Sequence, residues 1–160
     1  MALWIASPDF THNGSIPARF TCEGDDVSPA LEWHDAPAGT ASFALIVDDP
    51  DVPDPAHPQR TWVHWVLYNL PATARALPQA ASPATLPSGT RVGLNDWKRA
   101  DYGGPCPPIG RHRYFFKLHA LDCALDDLNE PTKAHLERAM EGHIVEKAEL
   151  IGTYIKVGTR

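Results

Sequence analysis

Two segments, Asp48 to Trp65 (DDPDVPDPAHPQRTWVHW) and Tyr102 to Phe116 (YGGPCPPIGRHRYFF), join imidazole, carboxylate and phenol groups to stiff bends. They place Asp49, Asp51, Trp62, His64, His112 and Tyr114 at or beside expected strand ends. Histidine N–H and tyrosine O–H groups donate hydrogen bonds to phosphate or carboxylate oxygens, with Coulomb attraction added when an imidazole is charged. Side chains two apart on a strand share a face, so Trp62 goes with His64, and His112 with Tyr114. Proline-rich bends fix backbone angles and aim such groups, as in small-ligand pockets. Asp49 has the wrong sign for a dianion. It fits only by orienting a neighbouring imidazole or by accepting a proton or amine of the ligand, which favours a phosphomonoester or phosphoethanolamine-like headgroup over a bare polyanion.

The same residues allow other readings. A histidine inside an aromatic strand also serves as a hydrogen-bonded core residue, and Asp51 suits either the pocket or an Asp-Pro-Asp turn. Two histidines and one aspartate make a common metal-ligand set, but metals also need fixed geometry and supporting partners, and no metal is expected. Asp49 and His64 could form a base and its orienter, giving a hydrolase as one rival. No Ser or Thr in either segment stands out as a nucleophile. GxSxG, GxxxxGK, GxGxxG and HExxH are all missing, so the expectation is a non-enzyme with no cofactor. Cys106, inside GGPCPP at the expected mouth, is either a reactive thiol or a small buried hydrophobe.

Strands must position these groups. Runs rich in β-branched and aromatic residues predict strands at Ala41 to Val47, Thr61 to Asn69, Arg113 to Leu121 and Leu150 to Val157. Shorter ones are expected at Arg19 to Cys22, Leu31 to His34 and Arg91 to Leu94. Helical periodicity is confined to Thr132 to Met140, with Thr132 as N-cap and a further turn through Val145. Many strands and one late helix predict an all-β antiparallel two-sheet sandwich with one or two short helices near the C-terminus. The chain's 16 prolines are roughly double the usual share of about 5 per cent, so connections should be numerous and stiff. The Ala/Pro/Ser-rich stretch Pro71 to Gly89 reads as a long surface loop with little to pack. Asn13-Gly14-Ser15 reads as a turn rather than a glycosylation site.

At 160 residues the chain predicts one domain, 1–160, with a core that needs no staples. A net charge of -6 argues against a nucleic-acid footprint, which would show clustered Lys and Arg on one face. There is no basic n-region and no run of 18 or more apolar residues, which predicts a cytoplasmic protein without a transmembrane segment. Three cysteines, Cys22, Cys106 and Cys123, without CxxC spacing suggest neither a disulfide framework nor a zinc site.

DPDVP followed by WVHW, then GGPCPPIGRHRYFFKLHALD, resembles the two signature regions of the phosphatidylethanolamine-binding protein family. FTCEGDDVSPALEW and EGHIVEKAELIGTYIKV extend the likeness over nearly the whole chain, nearest to the bacterial Raf-kinase-inhibitor-like branch. The resemblance implies a small anion pocket to which Asp49, His64, His112 and Tyr114 carry over, walled by Pro53, Trp62, Pro107 and Pro108. It implies binding of small phosphorylated or carboxylated ligands rather than catalysis, and a kinase or protease partner as in animal members. The other rival is an interaction protein docking a phosphorylated partner. A homodimer is one way to cover strand edges. Asp49, His64, His112 and Tyr114 are expected to converge on one concave site, and a cis X-Pro bond is expected among the bends at Pro53, Pro107 and Pro108.

Overall fold

The segment SFALIVDD is buried at eight consecutive positions, as a strand covered on both faces requires. In the computed structural model, which describes residues 2–157, it lies in β3 (Ser42–Val52), the middle strand of a five-stranded sheet. β4 (Arg60–Pro71) and β7 (His112–Leu121) flank it antiparallel, with β6 (Arg91–Val92) and β8 (Ile144–Tyr154) outside them. A second sheet runs β1 (Trp4–Ala6), β2 (Leu31–His34), β5 (Ala76–Leu77), also antiparallel.

Trp33, Phe43, Leu45, Val47, Trp65, Leu67, Tyr114 and Phe116 belong to the main core. The other face of the large sheet carries Ala44, Ile46, Val66 and Tyr68, which cluster with Leu136 and Met140 of α1 (Lys133–Met140). Thr132 caps that helix by accepting from His135 N–H at 3.2 Å. Asp48, fully buried, accepts from Lys117 Nζ at 3.0 Å and Lys133 Nζ at 2.7 Å, so its charge is matched where it is desolvated.

Antiparallel order puts the end of β3 beside the starts of β4 and β7. Asp49 stands opposite Trp62, and Asp48 opposite both Val63 and Phe115. Pairing steps from Val47–Trp65 to Asp48–Val63 and passes over His64, a bulge that re-aims that side chain.

The all-β sandwich holds, with one α-helix among the described residues. Several local expectations need correction. Arg19 to Cys22 is no strand; Ala18–Phe20 is a 3-10 turn that buries Phe20. The helix stops at Met140, and Ile144 and Val145 already belong to β8, which begins six residues before the predicted start at Leu150 and ends at Tyr154. Pro71 to Gly89 is not bare loop: it contains β5, Leu77 is 1% exposed, and Ala74, Ala81 and Leu86 pack on the core. Its short apolar residues are too scattered to show a period. The expectation of no disulfide is also wrong, because Cys22 and Cys106 are bonded across 84 residues of sequence. Spacing could not show this, since the fold alone brings the two loops together. Asn13 does sit in a turn, with φ of 66° and Gly14 N–H donating to Thr11 O.

Candidate functional site

At the shared strand end the walls enclose a cavity of about 290 Å³ lined by Asp49, Val52, Arg60, Trp62, His64, Trp97, Cys106, Pro107, Pro108 and Tyr114. Gly103 and Gly104 let the second loop close over it. A Cβ on Gly103 would stand 2.2 Å from the Trp97 ring, and one on Gly104 2.4 Å from Phe20 O. Gly104 N–H donates to Asp26 Oδ1, Tyr102 O–H to Phe20 O, and Cys22 N–H to Pro105 O, so the disulfide is one of several ties between this loop and the 3-10 segment. Val52-Pro53 is cis.

Three of the four expected polar groups line the cavity; His112 lies behind them. It is completely buried, with Nδ1 2.6 Å from Asp49 Oδ2 and Nε2 3.1 and 2.9 Å from the carbonyls of Pro53 and Ile109. Both ring nitrogens face acceptors, so both must carry protons, and the ring is an imidazolium. Burial opposes this charge, but the hydrogen bond and charge of Asp49 outweigh it and raise the His112 pKa above its ordinary value. Asp49 is thereby balanced within the protein, and its Oδ1 accepts from Asp51 N–H at 2.7 Å.

His64 is 3% exposed, and its Nδ1 is 2.7 Å from Gly103 O, so Nδ1 is the protonated nitrogen and Nε2 is left for the cavity. Burial lowers its pKa, which leaves the ring neutral at pH 7 with Nε2 an acceptor. The expected pair of imidazole donors is therefore absent near neutrality. The available donors are others. Tyr114 O–H and Trp62 Nε1–H are buried and have no partner among the described residues, and Arg60 supplies a cation. Burial, then the charge of Asp49, pushes the Tyr114 phenol far above its usual value, so it remains a donor. The His64 and Tyr114 rings meet edge to face at 5.2 Å.

Asp51 lies outside the cavity lining. Its carboxylate takes Arg113 in a two-pronged pair, Nη2 to Oδ1 at 2.8 Å and Nε to Oδ2 at 3.0 Å, and also accepts Arg113 N–H. Pro53 supports His112 through its carbonyl. Cys106 is at the cavity, but its sulfur is bonded to Cys22, so it is neither a free thiol nor a buried hydrophobe. Three lining residues were not singled out from sequence. Arg60 continues the two-residue alternation of Trp62 and His64 and was legible there. Val52 and Trp97 gave no signal, because loop closure alone brings Trp97 to the cavity.

A family model described as phosphatidylethanolamine-binding protein matches residues 6–155. A UPF0098 protein of Methanothermobacter thermautotrophicus is 44% identical over 146 residues, covering 91% of this chain and 93% of its own length. A phosphatidylethanolamine-binding protein homologue from Chlamydia trachomatis superposes with a TM-score of 0.88 at 39% identity, covering 97% of this chain and 98% of that one. YbcL of E. coli, described as a member of the mammalian family, gives 0.87 at 32% identity, with 98% and 100% covered.

Proposed function

The chain belongs to the phosphatidylethanolamine-binding protein family, and on that premise we propose that its pocket binds the phosphate of a small phosphomonoester without turning it over. The observation that carries this reading is the pair of buried, unpartnered donors, Tyr114 O–H and Trp62 N–H, on the walls of one cavity. A buried donor without an acceptor costs about 1–3 kcal/mol, which an oxygen-rich ligand would recover. With Asp49 neutralised by His112, Arg60 sets the sign of the lining in favour of an anion. A phosphate that retains one proton can also donate to His64 Nε2, and its second pKa near 6 makes that form accessible. Phosphoethanolamine adds an amine, for which Asp49, lining the same cavity, is the carboxylate acceptor.

Binding without catalysis is supported by what the reactive groups already do. The Cys106 sulfur is in a disulfide and both Asp49 oxygens accept hydrogen bonds. A phosphorylated side chain on a kinase, protease or other partner offers the same group to the same donors, so a phosphopeptide belongs in the test. Calorimetric titration with sulfate, phosphate, phosphoethanolamine and a phosphopeptide, together with an assay for phosphate released from a generic phosphoester, separates the readings. We expect heat from phosphate-bearing ligands, no release, and an Arg60→Gln loss of about 1.5 kcal/mol, the lower end for a bond to a charged group. Absence of heat with every anion, or an unchanged affinity in Arg60→Gln, refutes the site; phosphate release refutes the non-enzymatic reading.

No helix among the described residues is long and apolar enough to cross a membrane. The cytoplasmic placement expected from sequence faces an opposing observation, because disulfides persist mainly in oxidising compartments. Trapping free thiols in freshly lysed cells decides it: three alkylated cysteines support the cytoplasm, and one supports an oxidising compartment.

A further inference from the structure

β7 begins at His112 beside the pocket, and its other end, roughly 30 Å away at strand spacing, holds a different cluster of donors. Asp122 and Cys123 follow its last residue, and His143 lies in the turn between α1 and β8. One carboxylate oxygen, the thiol sulfur and one imidazole nitrogen of these residues lie within 4.8 Å of one another. We propose that Asp122, Cys123 and His143 form a binding site for a zinc-class divalent cation, separate from the anion pocket.

The donor types select the metal. Calcium and magnesium take oxygen ligands, whereas a thiolate, an imidazole and a carboxylate together suit zinc, with a fourth position left for water. Bonds of about 2.0–2.1 Å to nitrogen and oxygen and about 2.3 Å to sulfur, at tetrahedral angles, put donors about 3.3–3.6 Å apart. His143 Nδ1 and Asp122 Oδ1 are now 2.9 Å apart and would open by only about 0.4 Å. The sulfur would need to close by at most about 1.3 Å.

The backbone already holds the ligands in register. Asp122 N–H donates to His143 O at 3.0 Å, His143 N–H to Met140 O at 2.9 Å, and Ser42 Oγ–H to the Cys123 carbonyl at 2.6 Å. Cys123 is the one free cysteine, since the other two are bonded to each other. As the metal–sulfur bond forms the thiol proton leaves to solvent, while the His143 ring changes tautomer, its proton moving from Nδ1 to Nε2 so that Nδ1 can bind the metal, and the net release is one proton. The metal would clip the end of β7 to the turn after α1.

Titration of the full, disulfide-intact chain with Co2+ reads thiolate coordination directly through a sulfur-to-cobalt charge-transfer band. We expect that band to saturate at one metal per chain, to be displaced by Zn2+, and to be accompanied by protection of Cys123 from alkylation. Cys123→Ser keeps the Ser42 and Asp122–His143 hydrogen bonds, so it should fold normally. It should lose the band and weaken Zn2+ binding by at least about 10-fold, the low end of what even a supporting residue costs. Absence of a band, a band that survives in Cys123→Ser, or saturation at two chains per metal overturns the proposal. None of these outcomes depends on the anion pocket.

Discussion

Replacing Tyr114 by Phe should move stability and ligand affinity in opposite directions. The phenol is 1% exposed, its ring packs against His64 at 5.2 Å, and its hydroxyl has no partner among the described residues. Phe keeps the ring contacts and removes only the unpaired group. A buried, unsatisfied hydroxyl costs about 1–3 kcal/mol, so the ligand-free variant should be more stable by up to that amount. At about 2–4 °C per kcal/mol for a chain of this length, Tm should rise by roughly 2–12 °C. The hydroxyl is also a donor to the proposed phosphate, and a bond to a charged acceptor contributes about 1.5–3 kcal/mol. Phosphate affinity should therefore fall roughly 10- to 150-fold. Differential scanning calorimetry without ligand and isothermal titration with inorganic phosphate give the two numbers. A Tyr114→Phe protein that melts lower and binds phosphate as before refutes both the orphan-donor argument and the pocket chemistry built on it.

His112→Ala should destabilise the protein by about 3–5 kcal/mol in urea melts, because it leaves Asp49 buried without its counter-charge. Since folding raises the His112 pKa, its contribution should be complete below the unfolded value near 6.5 and decline as pH rises from there through the folded value, a slope that His112→Asn should remove. His119 runs the other way: burial, aided by Lys147 and Lys117, brings its pKa down to about 4. The unfolded chain takes up that proton near pH 6.5 and the folded one does not, so roughly 3 kcal/mol should be lost between pH 6.5 and 4. His119→Gln should flatten that part of the stability–pH curve. Reducing the Cys22–Cys106 bond, or replacing both by Ser, should cost up to about 4.5 kcal/mol from loop closure over 84 residues, seen as a lower urea midpoint.

The long strands and the capped helix were legible from local composition and pattern. SFALIV is a short apolar run with β-branched and aromatic residues, as a covered strand requires, and Thr132 is a capping residue ahead of an amphipathic turn. Asp49, His64, Tyr114, Trp62 and the paired prolines were likewise readable as neighbours, since antiparallel pairing brings the end of β3 to the starts of β4 and β7. What each group does there was not readable. The sequence places His112 and Tyr114 on one face, but depth decides that His112 turns both nitrogens to the protein while Tyr114 keeps an unmatched hydroxyl in the cavity. A bulge that skips His64, a glycine at 103 that admits Trp97, and a disulfide between distant loops depend on contacts between segments far apart in the chain. Local spacing carries no record of such contacts. Residue types and strand periods thus determined which chemistry was present, and tertiary packing determined which groups donate, which accept and which are already spent.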